Sequence, residues 1–243
     1  MHSGLLGQGL VAAVVWLLAS PCLASPWEDL MASYGPGLPP PAVRDYLKAS
    51  PLVAGAPTPS FREIRTETFD GSIAQQLKLT RYDGYFGHVE GRREVRAKGA
   101  RSGGVASQIT METTLGGLVL VWLENKDAKS TVFLRQIKFA GELLPPSDNK
   151  PFSMKYERVQ LQPDAIFEEL HDCAFKWTEP NAQNPIMESR CTGSIRTSKR
   201  QPNGTVEVIT EPQLLTQNWV FRRDLGWFFN QTTRILDFKR ASQ

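Results

Sequence analysis

From Phe61 to the C-terminus, apolar side chains recur with a period of two, and glycine, proline and asparagine repeatedly interrupt them. Cys173, Phe175 and Trp177 alternate with Ala174 and Lys176, and Phe152, Met154 and Tyr156 alternate with Lys155 and Glu157. That spacing puts the apolar set on one face of a strand, whereas a helix would repeat every 3.6 residues. The unbroken apolar run Leu118–Leu123 reads as a strand covered on both sides. Asn203-Gly204 marks a hairpin turn between Ile195–Ser198 and Thr205–Thr210. Asp224-Leu225-Gly226 suits a three-residue loop with glycine in the left-handed position. That loop would set Phe221 opposite Phe229 and gather Trp219, Phe221, Trp227 and Phe229 on one face. Pro163 opens one or two helical turns within Gln162–Leu170. The expected class is therefore mainly β, with short N-terminal helices.

Three regions follow from the N-terminus onward. Residues 1–24 form a signal-peptide-like segment: Leu10–Ala19 is apolar, Pro21 breaks it, and Cys22-Leu23-Ala24 offers a cleavage site. The run is short for a membrane span. This predicts the secretory pathway, toward a periplasm, the exterior or a plastid entered by a signal-led route, with an uncleaved anchor as the alternative. No stable membrane span is expected after signal cleavage. Residues 25–60 carry a capping box, Ser25-Pro26-Trp27-Glu28, that starts a helix over Trp27–Tyr34. A Pro/Gly linker, a second helix over Ala42–Ala49 and another linker complete this region. Residues 61–240 form the β domain, and the 243-residue chain is long enough to bury one substantial core.

The net charge of +3 is too mild to imply nucleic acid. Gly91–Arg101 is locally basic, which reads as a docking patch for an acidic surface or as a charge-protected strand edge. Cleavage after Ala24 leaves Cys173 and Cys191, an even pair that predicts one disulfide in an exported chain. No metal site is expected, because the histidines are scattered and no Cys-x-x-Cys pair exists. Asn203-Gly204-Thr205 and Asn230-Gln231-Thr232 are glycosylation sequons.

The hairpin Leu118–Phe139 brings Glu124, Arg135 and Gln136 beside aromatic residues. Glu124 and Arg135 can be read as a cross-strand ion pair or as ligand contacts. The order of its strands resembles that of the T-type phycobiliprotein chromophore lyases, the CpeT/CpcT family. The matching pieces are Leu118–Asn125, then Leu134-Arg135-Gln136-Ile137-Lys138-Phe139, then Asp172-Cys173-Ala174-Phe175-Lys176-Trp177. Cys191, Val206–Leu215, Trp219 and Asp224–Gly226 follow in order, and the likeness spans roughly residues 69–236. Ile137 stands where the family has the second arginine of Arg-Gln-Arg.

The resemblance implies a calyx-like antiparallel β-barrel, lipocalin-like, that holds an open-chain tetrapyrrole and passes it to a cysteine of a phycobiliprotein. The bilin is a substrate, so no cofactor is implied. Trp122, Trp177 and Trp219 would line its body. Glu124, the catalytic candidate, would accept pyrrole N–H bonds; Arg135 would pair with a propionate, and Gln136 with a lactam oxygen. Two other readings share the fold: an exported, non-catalytic carrier of an apolar small molecule, and an interaction protein with a filled barrel.

Overall fold

The computed structural model describes residues 25–50, 59–70, 73–83, 86–95, 106–126, 128–147 and 151–240. The signal-like segment and the end of the basic stretch lie outside them. Helix α1 (Pro26–Ser33) starts where the capping box puts it: Glu28 N donates to Ser25 Oγ at 3.3 Å, and Ser25 N to Glu28 Oε2 at 2.7 Å. Helix α2 (Pro41–Lys48) also opens on proline, whose missing N–H is not needed in a first turn.

The remainder is strand. In chain order these are β1 (Phe61–Asp70), β2 (Ile73–Asp83), β3 (Phe86–Val95), β4 (Ala106–Leu115), β5 (Val119–Asn125) and β6 (Ser130–Gly141). Then come β7 (Phe152–Gln162), β8 (Ala165–Glu179), β9 (Ile186–Arg200), β10 (Val206–Arg222), β11 (Trp227–Asn230) and β12 (Thr233–Arg240). They form one antiparallel sheet in the order β11-β10-β9-β8-β7-β6-β5-β4-β3-β2-β1-β12.

The sheet curls but does not close, so the calyx-like barrel expected from the sequence is corrected to an open, curled sheet. Its end strands, β11 and β12, are separated by Gln231 and Thr232 alone, yet they do not pair with each other. At one rim the ends approach through side chains: Phe61 of β1 meets Trp227 of β11 edge-on, ring centroids 5.4 Å apart. Farther along they part. β11 covers only Trp219–Arg222 of β10. β12 turns to β1 instead, pairing Ile64 with Phe238 and Thr66 with Ile235. Among the described residues no strand pairs with the outer edge of β10 from Val206 to Gln217. Pro212 lies within that stretch, as edge strands permit. A seam therefore runs between β10 and β12.

Two features near the turns differ from expectation. The β10–β11 register pairs Phe221 with Phe228 and Arg222 with Trp227. The connecting loop is thus Arg223–Gly226, four residues rather than three, with Gly226 N donating to Arg222 O at 2.7 Å. Leu225 tucks into the core, and the one-residue shift puts Phe221 and Phe229 on opposite faces. The expected helical turns after Gln162 are instead a tight hairpin turn at Pro163-Asp164 leading into β8.

One face carries the main core. It gathers Phe61 and Ile64 from β1, Leu134 and Ile137 from β6, Phe152 and Met154 from β7, Phe175 and Trp177 from β8, and Phe221 from β10. Strands from both ends of the sheet meet there, so this is the concave face. α2 adds Val43 and Leu47 to it. The convex face carries a smaller cluster, Phe133, Val159 and Ile166, covered by Trp27 of α1.

Candidate functional site

Direct cross-strand partners share a face, so the register resolves the concave surface into rows. The row nearest the closed rim is Trp177, Met187 and Trp219. Next comes Phe152, Phe175, Ser189 and Gln217, then Phe139, Met154, Cys173, Cys191 and Leu215. Cys173 and Cys191 are bonded, as the sequence predicts, from directly opposed positions on β8 and β9. Beyond the disulfide the rows turn polar. One is Ile137, Tyr156, His171, Gly193 and Gln213, and the next is Leu134, Arg158, Glu169, Ile195 and Glu211.

At the centre of these rows Tyr156, Arg158, Glu169 and His171 form a charged cluster. Arg158 Nε and Nη2 both donate to Glu169 Oε2, at 3.0 and 2.5 Å. The Arg158 guanidinium also lies 5.9 Å from the Tyr156 ring centroid. His171 is 1% exposed, its ring 5.1 Å from that of Tyr156 and its Nε2 3.7 Å from Glu169 Oε2. Neither of its nitrogens has a hydrogen-bond partner among the described residues. Gly193 is needed beside it: a Cβ there would lie 1.9 Å from Leu170 O and 2.8 Å from His171 Nδ1. Burial pushes the His171 imidazole below its ordinary pKa, against the pull of Glu169, and burial raises the Tyr156 phenol.

This gives a sign to the acid response. In the unfolded chain His171 takes up a proton near pH 6.5, while the folded imidazole resists until lower pH. Stability should therefore fall as pH drops below about 6.5, by up to about 1.4 kcal/mol per unit until the folded pKa is passed. Asp224 and Asp237 are held below their ordinary carboxylate range by Arg222 and Arg65, so their losses begin only at lower pH. Urea titrations at neutral and mildly acid pH should show His171→Gln losing less stability than the parent chain. Equal losses would refute the assignment.

The residues singled out from the sequence divide between the two faces. Trp177 and Trp219 are concave: Trp177 Nε1 donates to Leu143 O and Trp219 Nε1 to Ser189 Oγ, both at 3.2 Å. Trp122 and Glu124 are convex, opposite Phe133 and Thr131. Trp122 packs in the cluster under α1, its Nε1 buried without a hydrogen-bond partner. Arg135 is convex too, its Nη1 3.1 Å from Glu157 Oε1 and 3.5 Å from Glu168 Oε1. Its Cζ sits 5.7 Å from the Tyr34 ring centroid. Tyr34 is pushed up to about 12 by burial and by its hydrogen bond to Glu168. Gln136 pairs with Glu157 on the same face. These six residues therefore do not surround one ligand. The concave cluster escaped the sequence reading, although stepping back from Cys173 by twos reaches His171 and Glu169.

The concave face also keeps apolar side chains at the seam. Leu215 and Trp219 of β10 and Ile235 of β12 pack against the same core. Farther out, Ile209 is 46% and Phe238 41% exposed. The register puts Ile209 on the face of Leu215, and Phe238 opposite buried Ile64. Comparison with protein-family models, curated proteins and solved structures finds no match. No helix among the described residues is long and apolar enough to cross a membrane.

Proposed function

We propose that the protein is a carrier whose concave face takes up a small molecule with an apolar body through the seam between β10 and β12. The observation behind this reading is that Leu215 and Trp219 of β10 and Ile235 of β12, strands that do not pair, are half-buried on the same core, with Ile209 and Phe238 exposed on their strands. Apolar walls with a few placed polar groups are what small-molecule sites use. An open-chain tetrapyrrole, expected from the family resemblance, has a flat apolar body of this kind and is the first ligand to test. Thioether formation would fall to the thiol of an acceptor phycobiliprotein, since both cysteines of the β domain are bonded. Glu124 faces away from the seam, so the reading assigns it no catalytic part.

Biliverdin titrated into the mature chain should shift the pigment's absorbance and quench tryptophan emission. Ile209→Lys should weaken that binding about tenfold, as loss of one apolar contact and a charge at the entrance imply. Its thermal unfolding should match the parent, because the side chain is exposed. Binding of the neutral apolar dye N-phenylnaphthylamine without biliverdin would keep the carrier and remove the bilin. Binding of neither would overturn the reading.

A further inference from the structure

We infer that the free edge of β10, from Val206 to Gln217, is a docking site for an extended peptide strand that pairs antiparallel with it and carries a lysine or arginine opposite Glu211. This goes beyond the carrier reading and stands or falls without it. The hydrogen-bonding phase of β10 fixes what the edge offers. Asn218 O and Arg222 O accept from Gln231 N and Gly226 N on the outer side, at 3.0 and 2.7 Å, whereas Phe221 N donates to Pro185 O on the β9 side, at 2.9 Å. The β9–β10 register runs without a shift, so this phase holds back to Val206. Val206, Val208, Thr210, Leu214 and Thr216 each aim an N–H and a C=O outward, and Pro212 a C=O alone. Such a row is matched by another extended backbone, which is how strand addition gains its affinity.

The side chains select the kind of strand. Ile209 lies on the concave face, while Val208, 49% exposed, and Leu214, 73% exposed, lie on the convex face. A small molecule on the concave side leaves those two bare, whereas an added strand flanks the edge on both faces. The edge carries Glu207 and Glu211 and no basic residue. Gln201 Nε2 donates to Glu207 Oε2 at 2.5 Å, but exposed Glu211 has no hydrogen bond or ion pair among the described residues. A basic side chain directly opposite Glu211 supplies the missing charge. A second copy paired on the same edge brings only further glutamates, so the chain is not its own best partner.

The test is fluorescence anisotropy with the amidated, fluorescein-labelled peptide TVTQTKTIT. Aligned antiparallel, its lysine faces Glu211, its valine Leu215 and its isoleucine Ile209, and its threonines take the hydrogen-bonded positions. The parent chain should bind it. N-methylating the threonines that face Thr210 and Leu214 removes backbone donors and keeps every side chain, and should abolish binding. Glutamate in place of the peptide's lysine should weaken binding about fivefold, the scale of one cross-strand charge pair, and Glu211→Lys should reverse that order. Thr210→Pro removes an outward donor and leaves the β9 ladder whole, so it should lose the peptide with unchanged circular dichroism. No anisotropy change with the parent chain overturns the inference, and so does equal binding of the N-methylated peptide. A parent chain that sediments as a dimer and becomes monomeric as Thr210→Pro also overturns it, by giving the edge to a second copy.

Discussion

Trp227→Ala is expected to lower the unfolding free energy by about 3–5 kcal/mol, the range for emptying a large aromatic site in a core. Trp227 is 1% exposed and is the ring through which β11 reaches β1, edge-on to Phe61. The turn between β4 and β5 is shaped around it. Gly117 holds a left-handed conformation, φ 80°, and a Cβ there would stand 2.5 Å from Trp227 Nε1 and 2.1 Å from Phe228 O. Nothing near so rigid a turn can move in to fill the space. At this rim the two ends of the sheet meet through this contact and through Ser60, whose N and Oγ donate to Leu225 O and Asp224 O. Urea denaturation followed by tryptophan-independent circular dichroism measures the loss. A cost below about 1 kcal/mol would mean that the rim contact is not a main support of the fold.

Replacing both Cys173 and Cys191 by alanine should cost about 2–5 kcal/mol. The bond closes a loop with a sequence separation of 18 and joins the centres of two adjacent strands. Both side chains are buried, so the double replacement also loses packing in the middle row of the concave face. The denaturation midpoint of the double variant should fall below that of the parent chain under reducing agent, which keeps the packing of both thiols. A variant as stable as the oxidised parent would show that the unfolded chain gains no freedom when the bond is absent.

Local features of the sequence proved readable because their causes are local. The capping box of α1, the turn at Asn203-Gly204 and the strand period around Cys173 each depend on a few adjacent residues. The facing of Arg135 and Gln136 is different. Strict alternation sends them to opposite faces, but the register of β6 shifts between Leu134 and Gln136. The bulge lets Arg135 reach Glu157 and Glu168 on the convex side, where Gln136 also lies. Phe229 lies on the face opposite to Phe221, against the sequence expectation, because one extra loop residue reverses every facing after it. Whether the sheet closes is less local still. It depends on β12 choosing β1 over β10, and no short motif encodes that choice.

That choice also orders how the chain can assemble. Every ladder but one joins strands consecutive in sequence, so hairpin after hairpin can zip up with short loops. The exception, β1 with β12, brings together residues such as Arg65 and Asp237, 172 positions apart. Closing so long a loop from an open chain would cost about 4–5 kcal/mol in entropy. Once the other strands have zipped, that cost has largely been met, and β12 can dock late onto a formed template. The ion pair Arg65–Asp237 along this ladder is solvent-exposed and a weak support, and half-buried Glu63 pairs with exposed Lys239. The docking of β12, through the β1 ladder and Ile235, is the step that completes the sheet.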